Sequence, residues 1–177
     1  MSPHTSTIFP WKILWKTRVP PRVAFFSWTG TLGKVLTIDN LCKRSLIIIN
    51  WCCFCKRSGE SVDLMFLHCS VARELWSMVF GVQWVMPPMV LDLFSGWIGS
   101  LGRRRKLVVW RVVPHCVIWC LWRERNVRHF EDKERNIPEI KSLFFHTLLE
   151  WFVGLGNCFI HSIVELIDLC TFQFFCP

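Results

Sequence analysis

Between residues 51 and 69 the chain reads WCCFCKRSGESVDLMFLHC, and no other stretch narrows its folding options as much. Cys52 and Cys55 form a C-x-x-C pair, and His68 and Cys69 close the segment. Thiolate and imidazole groups hold zinc in a closed tetrahedron, and two ligands three residues apart on a tight turn can share one ion. A second pair at knuckle distance then ties the intervening loop down, while Lys56 and Arg57 favour ionised thiols. Adjacent residues ligate one ion only under strain, so the pairing of His68 with Cys69 leaves Cys53 as a spare ligand. The same residues also suit a metal-free core, in which a free cysteine packs as a small hydrophobe.

Ten cysteines would fit a disulfide scaffold only in an exported chain. The first twenty residues, MSPHTSTIFPWKILWKTRVP, lack the apolar stretch of a secretory signal because Lys12, Lys16 and Arg18 interrupt it. The expectation is therefore an intracellular protein, nuclear or cytoplasmic, with reduced or metal-bound cysteines. Hydrophobic residues make up 52% of the chain, which excludes disorder and provides for a sizeable core. A mean hydropathy of +0.34 raises the question of membrane insertion. The longest uncharged run, Leu75 to Leu91, falls short of the roughly eighteen residues a span requires, and Pro87 and Pro88 interrupt it. Trp-rich segments with basic ends leave an interfacial helix open as an alternative.

Helical spacing dominates the rest, so the expected fold class is mainly α. Helices are expected over 22–30 with Gly30 as the stop, from a Thr37 cap through TIDNLCKR, from a Ser70 cap to Phe80, and over 89–101. A long helix follows from about Lys106 to Phe130, buried in its first half and kinked at Pro114. Asn136, Pro138 and Glu139 resemble a capping box opening a helix through Trp151, and Ile160 to Leu169 forms a last short helix. SLIIINW, residues 45–51, is β-branched and reads as a short strand or extended segment. This yields a small helical domain with a short extended zinc-knuckle segment over residues 9–80, and a Trp-rich helical C-terminal region, 81–177, packed on it.

PWKILWKTRVPPRVAFFSWTGTLGKVLTIDNLCKR, then WCCFCKRSGESVDLMFLHC, then ELW, resembles the zinc-binding domain of plant LINE-type (non-LTR) retrotransposon reverse transcriptases. The likeness covers residues 9 to about 80, and WCLWRERNVRHF at 119–130 resembles a Trp-rich segment that follows that domain. The family pattern of C-x-x-C, Glu-Ser, His and a final Cys-Pro implies ligand roles for Cys52, Cys55 and Cys69. Leu64 stands where the family has its His, and Ser70 where it has its Pro. With His68 taking the fourth place, the implied cofactor is zinc. A decayed copy of an element has this appearance, and a start at Met1 just before the domain reads as a truncated one.

The resemblance implies a module that works beside a polymerase, and no catalytic motif is visible in this chain. There is no Asp-Asp dipeptide, P-loop, HExxH, G-x-S-x-G or dinucleotide-binding turn. The expectation is a non-enzyme without a small-molecule substrate. Residues 1–76 carry ten basic and four acidic residues, 77–130 eight and two, and 131–177 three and seven. A basic body with an acidic tail suits nucleic acid or anionic lipid, and also simple solubility. The candidate nucleic-acid contacts are Lys43, Arg44, Lys56 and Arg57 on phosphates, with Trp51 or Phe54 stacking on a base. Trp119, Trp122, Arg125 and Asn126 read as structural. RRRK at 103–106 reads as a nuclear-localisation or phosphate patch, or as a solvated turn. The polymerase portion of a related element is a further expected partner. The rival reading is a protein-interaction or scaffold fragment whose aromatic faces once packed on that polymerase.

Overall fold

The computed structural model describes residues 9–46, 48–80, 85–97, 104–154 and 162–171, and side chains over all of these except 104–107 and 168–171. Eight α-helices and one π-helical turn carry the described fold, and no strand occurs among the described residues. The mainly α expectation is met. RRRK at 103–106 falls outside the described side chains, as do residues 98–101 at the end of the expected 89–101 helix.

Helix α1 (Trp11–Lys16) leads into α2 (Pro21–Thr31), which opens on a proline whose missing N–H would be unpaired in a first turn anyway. Gly30 does not stop α2; it is buried within it, with Val90 Cγ1 3.8 Å from where a Cβ would stand. The stop is Gly33, at φ +64°, where the N–H of Gly33 bonds the Gly30 carbonyl (3.0 Å) and that of Lys34 bonds Thr29 (2.9 Å). This Schellman pairing needs the left-handed residue that glycine supplies.

The short helix α3 (Ile38–Cys42) starts after Thr37 as expected, with the Thr37 carbonyl accepting the Leu41 N–H (2.9 Å) as an N-cap does, but the Thr37 side chain makes no cap hydrogen bond. Its hydroxyl turns to the Val35 carbonyl at 3.5 Å, and the Ile38 N–H donates instead to Glu60 Oε1 at 3.1 Å. Residues 45, 46 and 48–51 form no strand: Leu46, Ile48, Ile49 and Trp51 are exposed, and no described strand is present to pair with them. The π-helical turn Leu64–His68 buries Met65, Phe66 and Leu67 together before α4 (Ser70–Phe80) begins. Helix α5 (Val90–Gly96) is capped by Asp63, whose Oδ1 accepts the Val90 N–H at 2.8 Å.

Helix α6 (Arg104–Phe130) packs against α2, α4, the π-helical turn, α7 (Ile137–Gly154) and α8 (Ile163–Thr171). Val112, Val113, Cys116, Val117, Ile118, Cys120 and Leu121 are all buried along it. The expected capping box opens α7: the Glu139 N–H donates to Asn136 Oδ1 (2.9 Å) and the Asn136 N–H to Glu139 Oε2 (2.8 Å).

Pro114 lies inside α6 and has no N–H for the Trp110 carbonyl one turn back. The Trp97 indole N–H takes its place, donating to that carbonyl at 2.7 Å while the two rings stack at 4.6 Å. Trp97→Phe keeps a ring but removes the donor, and is expected to cost about 1–3 kcal/mol in urea unfolding. In a Pro114→Ala background, where the substituted residue has a backbone N–H to offer, the same change is expected to cost less.

His115 is fully buried on α6 between α1 and α2. Its Nε2–H donates to the Ile13 carbonyl (3.1 Å), so Nδ1 accepts the Ser27 hydroxyl (2.7 Å). Burial holds its pKa down at about 4, partly offset by the Ile13 carbonyl. The unfolded chain therefore binds more protons than the folded one between pH 6.5 and 4. Stability is expected to be intact above pH 6.5 and to fall by about 1.4 kcal/mol for each pH unit down to 4. Ring-carbon chemical shifts of His115 that stay neutral at about pH 5 would check the assignment.

Candidate metal centre

The knuckle is a turn that its own backbone closes. The Cys52 N–H donates to the Ser58 carbonyl (2.8 Å) and the Lys56 N–H to the Cys52 carbonyl (3.0 Å), with Lys56 at φ +52°. Within it Cys52 is buried and Cys55 half-buried. Cys69 arrives from the other side as the residue that caps α4. Its backbone is extended and its carbonyl accepts the Arg73 N–H at 2.9 Å, so the cap falls on Cys69 and not on Ser70. The sulfurs of Cys52, Cys55 and Cys69 all lie within 4.8 Å of one another. Cys52 and Cys69 Sγ are 3.8 Å apart. Tetrahedral zinc with sulfurs at about 2.3 Å separates any two of them by about 3.8 Å. No described cysteine is in a disulfide.

The electrostatics of the pair is asymmetric. Cys69 is held below the usual thiol range by the Cys52 S–H it accepts, and its desolvation is further opposed by the Val71 N–H at the start of α4. Cys52 is pushed far up, first by donating that hydrogen bond and then by burial. The two sulfurs thus share a proton that a cation would displace. Three soft donors within 4.8 Å of one another, two of them at tetrahedral spacing, fit zinc, and Cys52, Cys55 and Cys69 would hold it.

The remaining sequence candidates sit apart from this triad. His68 is exposed, and its Nε2 is 3.0 Å from the Pro88 carbonyl. Leu64 begins the π-helical turn, half-buried against the core. Lys43 pairs with Asp39 (2.9 Å) and Lys56 with Glu134 (2.7 Å), whereas Arg44 and Arg57 are exposed. Trp51 is 48% exposed, but Phe54 is buried with the Arg128 guanidinium 5.1 Å over its ring, so Phe54 offers no face to a base.

Sequence reasoning missed what anchors the knuckle. Glu60 has a fully buried side chain, and its Oε1 accepts from Arg125 Nε (3.2 Å) and Nη2 (3.0 Å) as well as from Ile38. Arg128 donates to the Cys53 carbonyl (3.3 Å), to the Arg135 carbonyl (2.9 Å) and to Glu124 (2.9 Å), and Glu124 also receives Arg135 at 2.8 Å. Arg125 and Arg128 of α6 therefore brace the knuckle, in line with the structural reading of Arg125. One signal was available: Glu60 is the only acidic residue between Asp39 and Asp63.

Residues 1–76 match the family described as zinc-binding in reverse transcriptase, so the resemblance drawn from the sequence holds for the part of the chain that carries the cysteine triad. A relative from Arabidopsis thaliana, named "Putative ribonuclease H protein", is 28% identical over 125 residues, covering 70% of this chain. The chain accounts for 20% of that relative's length in the match. No solved structure matches. Among the described residues no helix is long and apolar enough to cross a membrane.

Proposed function

We propose that this chain, whose first 76 residues are a zinc-binding module of the reverse-transcriptase type, is a non-catalytic, retrotransposon-derived part that binds single-stranded nucleic acid. Residues 9–80 form the metal-holding domain and 81–177 the helical region that braces it. Zinc sits on Cys52, Cys55 and Cys69, with His68 able to reach it only by leaving Pro88.

The observation that carries the reading is an acid-free basic face with exposed rings. No acidic residue precedes Asp39, while Lys12, Lys16, Arg18 and Arg22 all come from α1, α2 and their connection. All four are exposed, and none makes an ion pair among the described residues. Trp15 and Phe25, 48% and 54% exposed, flank the half-buried Trp28 at ring distances of 6.2 and 5.4 Å. Cations beside open aromatic faces are what phosphates and unpaired bases require. Arg44 and Arg57 extend the positive field near the knuckle, and Lys43 and Lys56, already paired, contribute less.

The test is fluorescence anisotropy with a labelled oligouridine at several salt concentrations. Affinity is expected to fall steeply with salt, by a log–log slope of about −0.7 for each phosphate neutralised. Trp15→Ala is expected to weaken binding by about 1–3 kcal/mol, and Lys12→Glu with Lys16→Glu by more than Lys43→Glu with Lys56→Glu. Salt-insensitive self-association without RNA binding would overturn the reading in favour of a protein-docking face.

A further inference from the structure

The backbone at the knuckle sends two adjacent cysteines to different neighbours. Cys52 turns its sulfur to the triad, whereas Cys53 turns to Glu60 and His129, and the ligand atoms of these three lie within 4.8 Å of one another. We propose that Cys53, Glu60 and His129 form a second metal site, for one zinc-class divalent ion, separate from the cysteine triad.

The carboxylate of Glu60 points to it most directly. Oε1 is occupied by Arg125 and by the Ile38 N–H, but Oε2 is buried and has no hydrogen-bond partner. His129 Nε2 is 3.6 Å from Oε2, too far for a hydrogen bond. A buried carboxylate oxygen left without a donor is costly, and buried polar atoms in folded proteins are rarely left so. An ion lying between Oε2, the Cys53 sulfur and the imidazole removes that deficit. Both neighbouring guanidinium groups are directed elsewhere: Arg125 to Glu60 Oε1, and Arg128 to Glu124 and two carbonyls.

The donor set is chemically selective. One sulfur, one nitrogen and one carboxylate oxygen exclude calcium and magnesium, which take oxygen ligands, and suit zinc with a fourth position left for water. The ligands come from the knuckle turn, the loop after it and the C-terminal end of α6. An ion here would thus clamp residues 53–60 onto α6, next to the Glu60–Arg125 pair.

The experiment is cobalt(II) and zinc(II) titration of the full chain after metal removal, read as equivalents retained through gel filtration against a weak chelator. The sulfur-to-cobalt absorption band is recorded alongside, with thermal unfolding as the check on folding. Wild-type protein is expected to keep two equivalents. Cys53→Ser and His129→Ala are each expected to keep one, with the strong triad band intact. Cys55→Ser is expected to lose the strong band and keep the second ion. Glu60→Gln is avoided because it also breaks the Arg125 pair. A single equivalent in wild type that Cys55→Ser abolishes, or two equivalents persisting in His129→Ala, would overturn the proposal. One ion that depends on Cys53 and His129 but not on Cys55 would uphold it while refuting zinc at the triad. No retained metal in wild type refutes both.

Discussion

Arg125→Ala is expected to lower the unfolding free energy by about 3–5 kcal/mol, because it strands the fully buried Glu60 carboxylate without its only charged donor on Oε1. The loss reaches beyond one pair. Glu60 also supplies the acceptor for the first N–H of α3, and its own N–H is held by Asn50 Oδ1 at 2.6 Å. A carboxylate that must find water would pull the knuckle loop and the start of α3 off α6 together. Urea unfolding followed by tryptophan fluorescence measures the effect. Lys43→Ala, which breaks an exposed pair of similar length, is the comparison and is expected to cost under about 1 kcal/mol. Equal losses in the two variants would show that the buried pair does not anchor the knuckle.

The second large effect is on metal content. Cys69→Ser is expected to abolish zinc retention at the triad, since it removes the sulfur held below the usual thiol range and the one that accepts from Cys52. Thermal unfolding of the wild-type chain is expected to drop on adding a strong chelator. In Cys69→Ser that drop should shrink to whatever ion lies elsewhere. Elemental analysis at matched free zinc reads both proteins. An unchanged zinc content in Cys69→Ser would place the ion outside the triad.

Much of the helical layout was legible in the sequence because it rests on contacts between near neighbours. The Asn136–Glu139 capping box needs only residues three apart, and it forms as expected. The buried first half of α6 follows from an apolar run that no solvent-facing helix tolerates. The failures have a common cause. Thr37 is the N-cap of α3 by its backbone, yet its hydroxyl does not cap, because Glu60 arrives from twenty-two residues away to take the first N–H groups. Gly30 looked like a stop, yet it lies buried inside α2 facing Val90 of α5, and the helix ends only at Gly33. Residues 45–51 had strand composition but no described strand to pair with.

The candidate site divides in the same way. Composition and spacing alone determined that Cys52 and Cys55 share a turn and that the chain before Asp39 is basic without relief. Those are properties of short segments, and a three-residue spacing on a tight turn leaves few alternatives. Which partner each thiol meets was decided only in three dimensions. Cys69 joins the triad because the π-helical turn ends there and α4 begins. His68, one residue earlier, is carried away from the triad, against Pro88. Cys53 meets Glu60 and His129 only because Arg125 and Arg128 hold the knuckle against α6, some seventy residues further along the chain. Such meetings depend on buried charge pairing between distant segments, for which no local periodicity exists to be read.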